Sequence, residues 1–441
     1  MTRSSWVETS LSEVRGTPHD LSLSYLSPDA RLAILTDYTE HRTRVLRGEP
    51  LGLDPARFPN QPWLAPAARG LRRCPPDEDV RGYGIFTFPY GPVTGGVPEA
   101  VRFDVRTYGE RILELTPVTG FKRRGVLAGI AGLPLPDAAL RVERMVGNLS
   151  AAHVTAFLTA AESARGLPVP ERELWTRALA LELQRIYNHL HAVARVAESA
   201  AQSVGQAQVH ALSEEVLRLA GWAFGHRWLF GALLPGGPDR RLEPSDRRTI
   251  GTRIARISAD FQTLWDLLSH TRIFVDRIQG TSPIPRREAI RWGAVGPTLR
   301  ASSVGWDDRV HAPIPPYTDL FVAVPQGIDG DALDRIAVRV GEIQSSTLAI
   351  EQILDRWPAA SGEIPPEPCV EAHRGIARVE GPNGDLIYDV TMQGDRVAGA
   401  SCRSASEANL PLLALGSRQS VFTDFSFAWE SFGFVIAEVD R

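Results

Sequence analysis

Residues Val142 to Glu162 read VERMVGNLSAAHVTAFLTAAE, a segment of small and apolar residues that also carries polar groups. Four of these groups are unfavourable to bury, namely Glu143, Arg144, Asn148 and His153. A buried charge requires a partner or a function, because it loses its hydration. The small and apolar residues recur at helical spacing, which predicts a core helix that enters beside a polar pocket.

The composition is typical of a globular protein. The chain has 441 residues, of which 43% are hydrophobic and 23% are charged, and its formal net charge is −4. This charge gives no reason to expect a nucleic-acid partner. The N-terminal sequence MTRSSWVETS lacks the apolar run of a signal peptide, and no stretch is apolar enough to cross a bilayer. We therefore expect any membrane association to occur through partners.

The three cysteines, Cys74, Cys369 and Cys402, are far apart in the sequence. They form neither a disulfide framework nor a Cys-x-x-Cys metal site. This pattern favours a reducing compartment and buried or incidental thiols.

The sequence divides near residue 80. Residues 1–80 are proline-rich and weakly patterned, which predicts an N-terminal arm with one short helix from about Ser27 to Arg47. The pattern then changes to YGIFTF, AVRFDVRT and RILELTPV, with a tight turn at Tyr108-Gly109-Glu110. These runs predict an N-terminal antiparallel sheet of three strands.

The remainder of the 81–441 domain has mainly helical periodicity. A small β-unit is predicted at residues 375–404, where Pro-Asn-Gly and Gln-Gly-Asp turns separate alternating runs. The fold class is therefore mainly α (α+β), a long helix bundle with an N-terminal sheet and a small C-terminal β-unit. Predicted helices after Val142 to Glu162 run from Pro170 to about Ser203, from about 210 to 231, from Pro244 to Gly280, and from Asp331 to Trp357.

Several motifs carry a family resemblance. VERMVGNLSAAHVTAF resembles the helix of nickel–iron hydrogenase large subunits, where glutamate and arginine precede a Cys-Gly-Ile-Cys-Ser run and histidine follows. The D-type subunit of respiratory complex I (NADH-quinone oxidoreductase) uses the same fold without the metal. The motifs LELQRIYNHL, LLPGGP and GPTLRASSVG are similar to family segments in the same order. The resemblance covers about Tyr83 to Arg441 and implies a hydrogenase large-subunit-like fold.

The motif LELQRIYNHL places three polar residues on a predicted bundle helix. Glu182, Arg185 and His189 have family counterparts in LELQRIYNHL. We interpret them mainly as a structural polar network between helices.

The four nickel-binding cysteines of the family are absent. Val146, Leu149, Val435 and Glu438 occupy their positions in the matched motifs. Nickel requires soft thiolate ligands, and aliphatic side chains offer no lone pair. The sequence therefore predicts that the chain is not a working hydrogenase, binds no nickel and holds no cofactor directly.

The Gly/Pro loop FPYGPVTGGVPEA matches a family loop that reaches into the active pocket. The complex I relatives carry a quinone-contacting histidine just after its Gly-Pro pair, and the corresponding position here is near Thr94. Thr94 thus marks a candidate quinone-pocket loop, and quinone is a candidate acceptor. Energy-converting hydrogenases place a proton-relaying glutamate at the far end of the loop, which Glu99 matches. The alternative for Glu99 is a solvated charge at a strand edge.

The segment TGFKRRGVLAGI resembles the family's Gly-Tyr-x-His-Arg-Gly-x-Glu. Arg124 and Gly125 match, whereas Arg123 and Leu127 replace the histidine and the glutamate. In complex I the matching arginine lies beside the terminal iron–sulfur cluster of the small subunit. The resemblance implies that Arg124 faces such a cluster in a partner. The alternative is a solvated basic turn.

The resemblance implies a core subunit of a membrane-associated electron-transfer complex at the cytoplasmic face of the cell membrane. Expected partners are an iron–sulfur small subunit, similar to the B-type subunit of complex I, and membrane subunits similar to its H-type subunit. A protein similar to its C-type subunit is a further candidate. Glu99 and His153 are the candidate proton-transfer groups, and Glu143 and Arg144 form a candidate pocket ion pair with Glu143 ionised.

The alternative function is a catalytically inactive assembly or scaffold subunit that kept the fold and its interfaces. Loss of every metal ligand fits both hypotheses. The polar residues that remain in the pocket segment favour the electron-transfer hypothesis, because a scaffold could fill the pocket with apolar groups.

Overall fold

The computed structural model describes residues 6–10, 13–14, 20–48, 51–54, 57–64, 72–73, 82–95, 97–237, 242–359 and 373–440. Its α+β architecture confirms the predicted fold class. The helices are α1 Gln61–Leu64, α2 Val126–Gly129, α3 Leu135–Val142, α4 Ser150–Arg165, α5 Glu171–Ser199, α6 Ser203–Phe224, α7 Pro244–Ser269, α8 Arg272–Ile278, α9 Arg286–Arg291, α10 Gly296–Ala301, α11 Asp308–His311, α12 Ala332–Asp355, α13 Ala405–Gly416 and α14 Phe425–Phe432.

The strands form three sheets. They are β1 Trp6–Glu8, β2 Leu21–Leu26, β3 Leu32–Asp37, β4 Arg42–Arg47, β5 Arg72–Arg73, β6 Phe86–Tyr90, β7 Arg102–Tyr108, β8 Arg111–Thr119, β9 Arg374–Gly381, β10 Gly384–Gln393 and β11 Arg396–Arg403. The sheet orders are β1-β4-β3-β2, β5-β8-β7-β6 and β11-β10-β9. The predicted C-terminal unit is confirmed, and the sheet predicted with three strands has a fourth, β5, at its edge.

The long helices α5, α6, α7 and α12 pack against one another as a bundle. Helix α5 is apolar on several faces, since Ala178, Leu181, Ile186, Leu190 and Val193 are all buried. This confirms the predicted bundle helix. Helix α4 lies across β9 and β10 and joins the bundle to the C-terminal sheet.

The helix predicted from about Ser27 to Arg47 is wrong. This segment forms β3 and β4, which pair antiparallel with each other, and β3 also pairs with β2. Tight turns that contain Ala30 (φ 56°) and His41 (φ 50°) separate the strands. LAILTD and RTRVLR are rich in β-branched and aliphatic residues, which suit a buried sheet. The boundary at residue 80 stays a prediction.

The helix predicted over Val142 to Glu162 begins later than expected. Helix α3 ends at Val142, Val146 is extended (φ −143°, ψ 111°), and a 3₁₀ turn at Gly147–Leu149 precedes α4. Glu143 and Arg144 therefore lie in a turn. The predicted 210–231 helix is α6, which begins and ends earlier, and the 244–280 helix is divided into α7 and α8 at His270–Thr271.

Candidate functional site

The 3₁₀ turn Ile436–Glu438 lies where the 91–99 loop and the basic turn after β8 meet the end of the described chain. Glu99 Oε2 accepts hydrogen bonds from the backbone N–H of Ile436 at 3.3 Å and from Lys122 Nζ at 2.7 Å. The Glu99 side chain is 15% exposed. Glu99 is thus an ion-paired group against the terminal turn and not a freely solvated strand-edge charge.

His153 contacts the same turn from α4. Its ring is fully buried, with Nε2 3.1 Å from Glu438 Oε2 and Nδ1 2.9 Å from the Tyr388 hydroxyl on β10. With Glu438 ionised, Nε2–H donates to the carboxylate and Tyr388 donates to Nδ1. The other carboxylate oxygen of Glu438 accepts from the Ser406 N–H at 2.9 Å. We call Glu99, Lys122, His153, Tyr388 and Glu438 the terminal-turn site.

A basic turn adjoins this site. Asp440 accepts hydrogen bonds from the backbone N–H groups of Gly120 at 2.7 Å and Lys122 at 2.8 Å. Arg124, two residues further on, is exposed and donates through Nη1 to the carbonyls of Arg144 and Met145 at 3.1 and 2.6 Å. The turn is therefore fixed on both sides, and it presents Arg124 near the surface.

The predicted ion pair of Glu143 and Arg144 lies apart from His153 and Glu99. Glu143 is 1% exposed, and its carboxylate accepts from Arg144 Nε at 3.2 Å and from the Gly231 N–H at 2.7 Å. The Arg144 side chain is 60% exposed and its guanidinium lies 4.0 Å from the centre of the Phe230 ring. Burial raises the pKa of Glu143 despite these two donors, so its environment opposes the ionised state that we expected.

The structure thus brings two of the four predicted groups to one turn. Glu99 and His153 both contact Ile436–Glu438, whereas no ion pair or hydrogen bond in the described ranges joins Glu143 to either of them. Thr94 is half-buried in the same loop as Glu99. Gly91 permits the tight start of this loop, because its φ is +95° and a Cβ there would lie 2.3 Å from the Val101 carbonyl oxygen.

The side chains at the family's metal-ligand positions are unsuited to binding nickel. Met145, Val146, Leu149 and Ala437 form one buried apolar cluster, against which Val435 packs. These side chains offer no electron pair to a soft metal, and Glu438 directs its oxygens to His153 and Ser406. In the portion of the chain that is described, no group of three or more His, Cys, Asp or Glu side chains could hold a metal ion.

The cysteines lie elsewhere. Cys402 is buried in β11, and Cys74 and Cys369 fall outside the described residues. None of the described helices is both long and apolar enough to span a bilayer.

A second buried polar cluster lies among α5, α12 and the 300–309 segment. Glu342 on α12 contacts His189 Nε2 at 2.8 Å and accepts from Arg300 Nε at 2.8 Å. Glu182 accepts from Arg309 Nη1 at 3.0 Å and from the Tyr317 hydroxyl at 2.5 Å. We call Glu182, Arg185, His189, Arg300, Arg309 and Glu342 the bundle network.

Fixed guanidinium charges control ionisation in this network. Arg300 and the hydrogen bond from His189 hold the pKa of Glu342 well below its usual value, although burial opposes this. Burial, with a smaller contribution from nearby arginines, lowers the pKa of His189 to about 4, although Glu342 opposes this shift. Arg185 donates to the carbonyls of Gly381 and Glu380 on β9 at 2.8 Å each. These contacts confirm a structural polar network between helices and extend it to the C-terminal sheet.

Sequence reasoning missed two partners at the terminal-turn site. The sequence motifs identify Glu438 only as the position of a lost metal ligand and assign no role to Tyr388. Glu438 interrupts the otherwise apolar VIAEV, and Tyr388 lies in the strand GDLIYDVTMQ beside buried Ile387. These signals suggest burial of both side chains but do not reveal that both meet His153.

This geometry defines a helix-bundle fold with a buried polar site, and the described part of the chain holds no group of three or more His, Cys, Asp or Glu side chains suited to a metal ion. Its fold is that of a chain in the structure titled "membrane-bound sulfane sulfur reductase (MBS), an archaeal respiratory membrane complex". The TM-score is 0.75 at 22% identity, with 81% of this chain and 99% of the other chain covered. This match is a likeness of fold.

Sequence comparisons show which proteins the chain is similar to. Residues 207–369 match the model described as "Respiratory-chain NADH dehydrogenase, 49 Kd subunit". The D-type subunit of the NADH-quinone oxidoreductase of Chlorobium luteolum is 29% identical, covering 80% of this chain and 92% of its own. The membrane-bound hydrogenase subunit alpha of Pyrococcus furiosus is 28% identical, covering 70% and 76%. The chain is thus similar in sequence both to complex I D-type subunits and to a membrane-bound hydrogenase subunit.

Proposed function

We propose that this chain is a core subunit of a membrane-associated electron-transfer oxidoreductase complex. In this proposal it couples electron transfer to proton or charge movement at the terminal-turn site. The observation that carries the proposal is the buried contact between His153 and Glu438. A carboxylate and an imidazole in contact can store or pass a proton when a nearby redox centre changes its charge.

Glu99 gives this site a second group that can exchange protons. Its carboxylate pairs with Lys122, and it also contacts the turn that contains Glu438. The Glu99 side chain is partly exposed while His153 is fully buried, so the site runs from the surface into the core. A proton-transfer route requires this arrangement of an outer and an inner group.

The proposed partners follow from the relatives and the basic turn. The relatives are named as subunits of NADH-quinone oxidoreductase and of a membrane-bound hydrogenase. We propose an iron–sulfur small subunit, similar to the B-type subunit of complex I, against the exposed Arg124. A fixed cation near a cluster would stabilise its reduced state. Membrane subunits of the H type would hold the chain peripherally at the cytoplasmic face, and a protein of the C type is a further candidate.

The 91–99 loop bears on the identity of the electron acceptor. Thr94 lies in the 91–99 loop that also carries Glu99, and quinone is the acceptor that the family suggests. We propose quinone as the candidate electron acceptor.

One observation favours the scaffold alternative. The apolar cluster of Met145, Val146, Leu149 and Ala437 fills the positions at which the family holds its metal. A subunit that had lost its chemistry could contain the same cluster. The scaffold function therefore needs a test that separates assembly from turnover.

Purification of the intact complex from native membranes through a tag on this chain supplies that test. We expect an iron–sulfur subunit and membrane subunits to copurify, with a cluster visible by electron paramagnetic resonance. Purification of the chain without an iron–sulfur partner would contradict the proposal. An assembled complex in which both Glu99→Gln and His153→Ala retain wild-type turnover would establish the scaffold alternative.

A further inference from the structure

Two histidines face each other across the helical hairpin of α5 and α6, and they belong to neither polar site. His191 on α5 and His210 on α6 are nearly the same distance along the chain from the turn that joins the two helices. Their ring centres lie 5.5 Å apart, and the ring planes are inclined by 51°. Both side chains line a cavity of about 610 Å³. The hairpin therefore presents two imidazoles to one space.

A ligand from solvent can reach both rings. His191 is exposed and His210 is half-buried. Neither ring forms a hydrogen bond or an ion pair with another residue in the described part of the chain. A histidine that supports the fold normally uses its ring nitrogens in such bonds, as His153 and His189 do. The nitrogens of this pair are therefore accessible for another partner.

The rings of this pair are also uncharged at neutral pH. Neighbouring protein removes part of their hydration, which lowers the pKa of both His191 and His210. Arg195 makes a smaller contribution in the same direction, and Glu198 opposes it. A neutral imidazole keeps an electron pair on one nitrogen, whereas a protonated imidazole has none to offer. Both histidines are therefore in the form that can bind a metal ion.

The spacing of the two rings suits a shared metal ion. A bond from zinc to an imidazole nitrogen is about 2.0–2.1 Å long, so two rings on one tetrahedral ion have centres roughly 5 Å apart. The observed 5.5 Å is close to this distance, and a small rotation of the exposed His191 side chain can supply the remainder. Imidazole suits zinc and copper, whereas magnesium and calcium prefer oxygen ligands. The pair therefore favours a transition-metal ion.

Glu214 places a negative charge at the same cavity. It lies one turn after His210 on α6 and also lines the cavity. Its carboxylate is ion-paired with Arg227, and the described ranges contain no metal-binding group of three or more His, Cys, Asp or Glu side chains. The pair thus offers two protein ligands, and water would occupy the other positions, as water does in open zinc sites.

We propose that His191 and His210 together bind one divalent transition-metal ion that accepts imidazole ligands, such as Zn²⁺. The ion would link α5 to α6 across the cavity. Because only the folded hairpin holds the two rings together, the bound ion would stabilise the folded state. This inference does not depend on the proposed electron-transfer function.

The test is a calorimetric titration of the purified full-length chain with Zn²⁺ at pH 7. We expect saturable binding by the wild type. His191→Ala and His210→Ala should each weaken binding at least roughly tenfold, because even the loss of a group that only supports a metal ligand costs about 10–100-fold. Neither substitution breaks a hydrogen bond within the described structure, so both variants should fold.

His41→Ala is the matched control. The ring of His41 lies 5.3 Å from that of His311, a similar spacing, but the two rings are stacked with an interplanar angle of 20°. Nearly parallel stacked rings do not direct their in-plane electron pairs to a common point. This control should therefore leave the dissociation constant for Zn²⁺ unchanged.

Electron paramagnetic resonance of the wild type with Cu²⁺ in place of Zn²⁺ gives a second measurement that needs no variant. We expect one bound Cu²⁺ ion to show coupling to two imidazole nitrogens. Coupling to fewer than two imidazoles would overturn the proposal. Absence of saturable Zn²⁺ binding by the wild type would also overturn it, as would equal dissociation constants for the wild type and His191→Ala.

Discussion

The terminal-turn site and the bundle network each bury a histidine against a glutamate, but the second partner of each histidine differs. His189 lies 2.8 Å from Glu342 and accepts a hydrogen bond from Arg339 at 3.1 Å. His153 lies 3.1 Å from Glu438, and its other nitrogen lies 2.9 Å from the Tyr388 hydroxyl. An arginine keeps its protons at all relevant pH values, whereas a tyrosine hydroxyl can donate or accept.

This difference separates structural burial from burial suited to proton transfer. In the bundle network fixed guanidinium charges keep Glu342 ionised, and burial keeps His189 neutral. In the terminal-turn site the groups around Glu438 and Glu99 include His153, Tyr388 and Lys122, all of which can exchange protons. Burial of an ionisable group is therefore not sufficient to identify a reactive site. The identity of its hydrogen-bond partners determines whether a buried group is suited to proton transfer.

The largest expected effect on stability is in the bundle network. Glu342→Gln removes the carboxylate that Arg300 and His189 share and leaves buried positive charge incompletely paired. We expect the free energy of unfolding to fall by roughly 3–5 kcal/mol. Urea unfolding of the purified chain measures this change. Glu40→Gln, in an exposed pair with Arg42, is the matched control and should change stability by less than about 1 kcal/mol. Similar losses of stability in Glu342→Gln and Glu40→Gln would contradict the structural role of the bundle network.

An intermediate effect is expected where two carboxylates share one arginine. Arg177 contacts both Glu162 and Glu173, and burial raises the pKa of Glu173 to about 7 from 4.5. The folded state binds this proton more tightly than the unfolded state does. The resulting contribution to the free energy of unfolding is fully present below about pH 4.5 and is lost as the pH rises through about 7. We expect a loss of roughly 2 kcal/mol between pH 5 and pH 8.

Glu173→Gln should remove this part of the pH dependence, as measured by urea unfolding at both pH values. Glu110→Gln, at an exposed hairpin turn, should retain the wild-type dependence. An unchanged slope in Glu173→Gln would mean that Arg177 keeps Glu173 ionised, as the guanidiniums do for Glu342.

The smallest expected effect concerns Arg124 and a partner. Removing a cation near an iron–sulfur cluster makes the cluster harder to reduce. Arg124→Met should lower the cluster potential by tens of millivolts if the coupling is about 1 kcal/mol. A redox titration of the assembled complex measures this shift, and Arg141→Met, at the end of α3, is the control. An assembled Arg124→Met complex with an unshifted potential would leave Arg124 without the proposed role.

Much of the fold could be predicted because periodicity is a local signal. The apolar spacing of α5 and the turn residues of the C-terminal sheet identify these elements within short windows. The sheet β1-β4-β3-β2 was not predicted because β2 and β3 are buried on both faces, so their polar residues do not mark a solvent-facing side. Ser22, Ser24 and Thr36 are buried there, and Ser24 bonds to Thr36 at 2.7 Å across the sheet. A hydrogen bond between side chains on two strands cannot be recognised from the sequence of either strand alone.

The candidate site could be predicted only in part, for a similar reason. His153 and Glu99 were identified from their motifs, but the partners of His153 are 235 and 285 residues away in sequence. The break before α4 also depends on local backbone at Gly147–Leu149, which moves Glu143 out of the helix. Long-range contacts and turn geometry, more than residue type, determine which polar groups meet.

The most direct test of the central claim is turnover of the purified complex that carries Glu438→Gln. This change keeps the shape of the side chain but removes the carboxylate that faces His153. We predict that the complex assembles and that electron transfer or coupled ion movement falls roughly a hundredfold, the scale of a lost proton-transfer group. The control Glu110→Gln should retain wild-type turnover. Full turnover in an assembled Glu438→Gln complex would contradict the account.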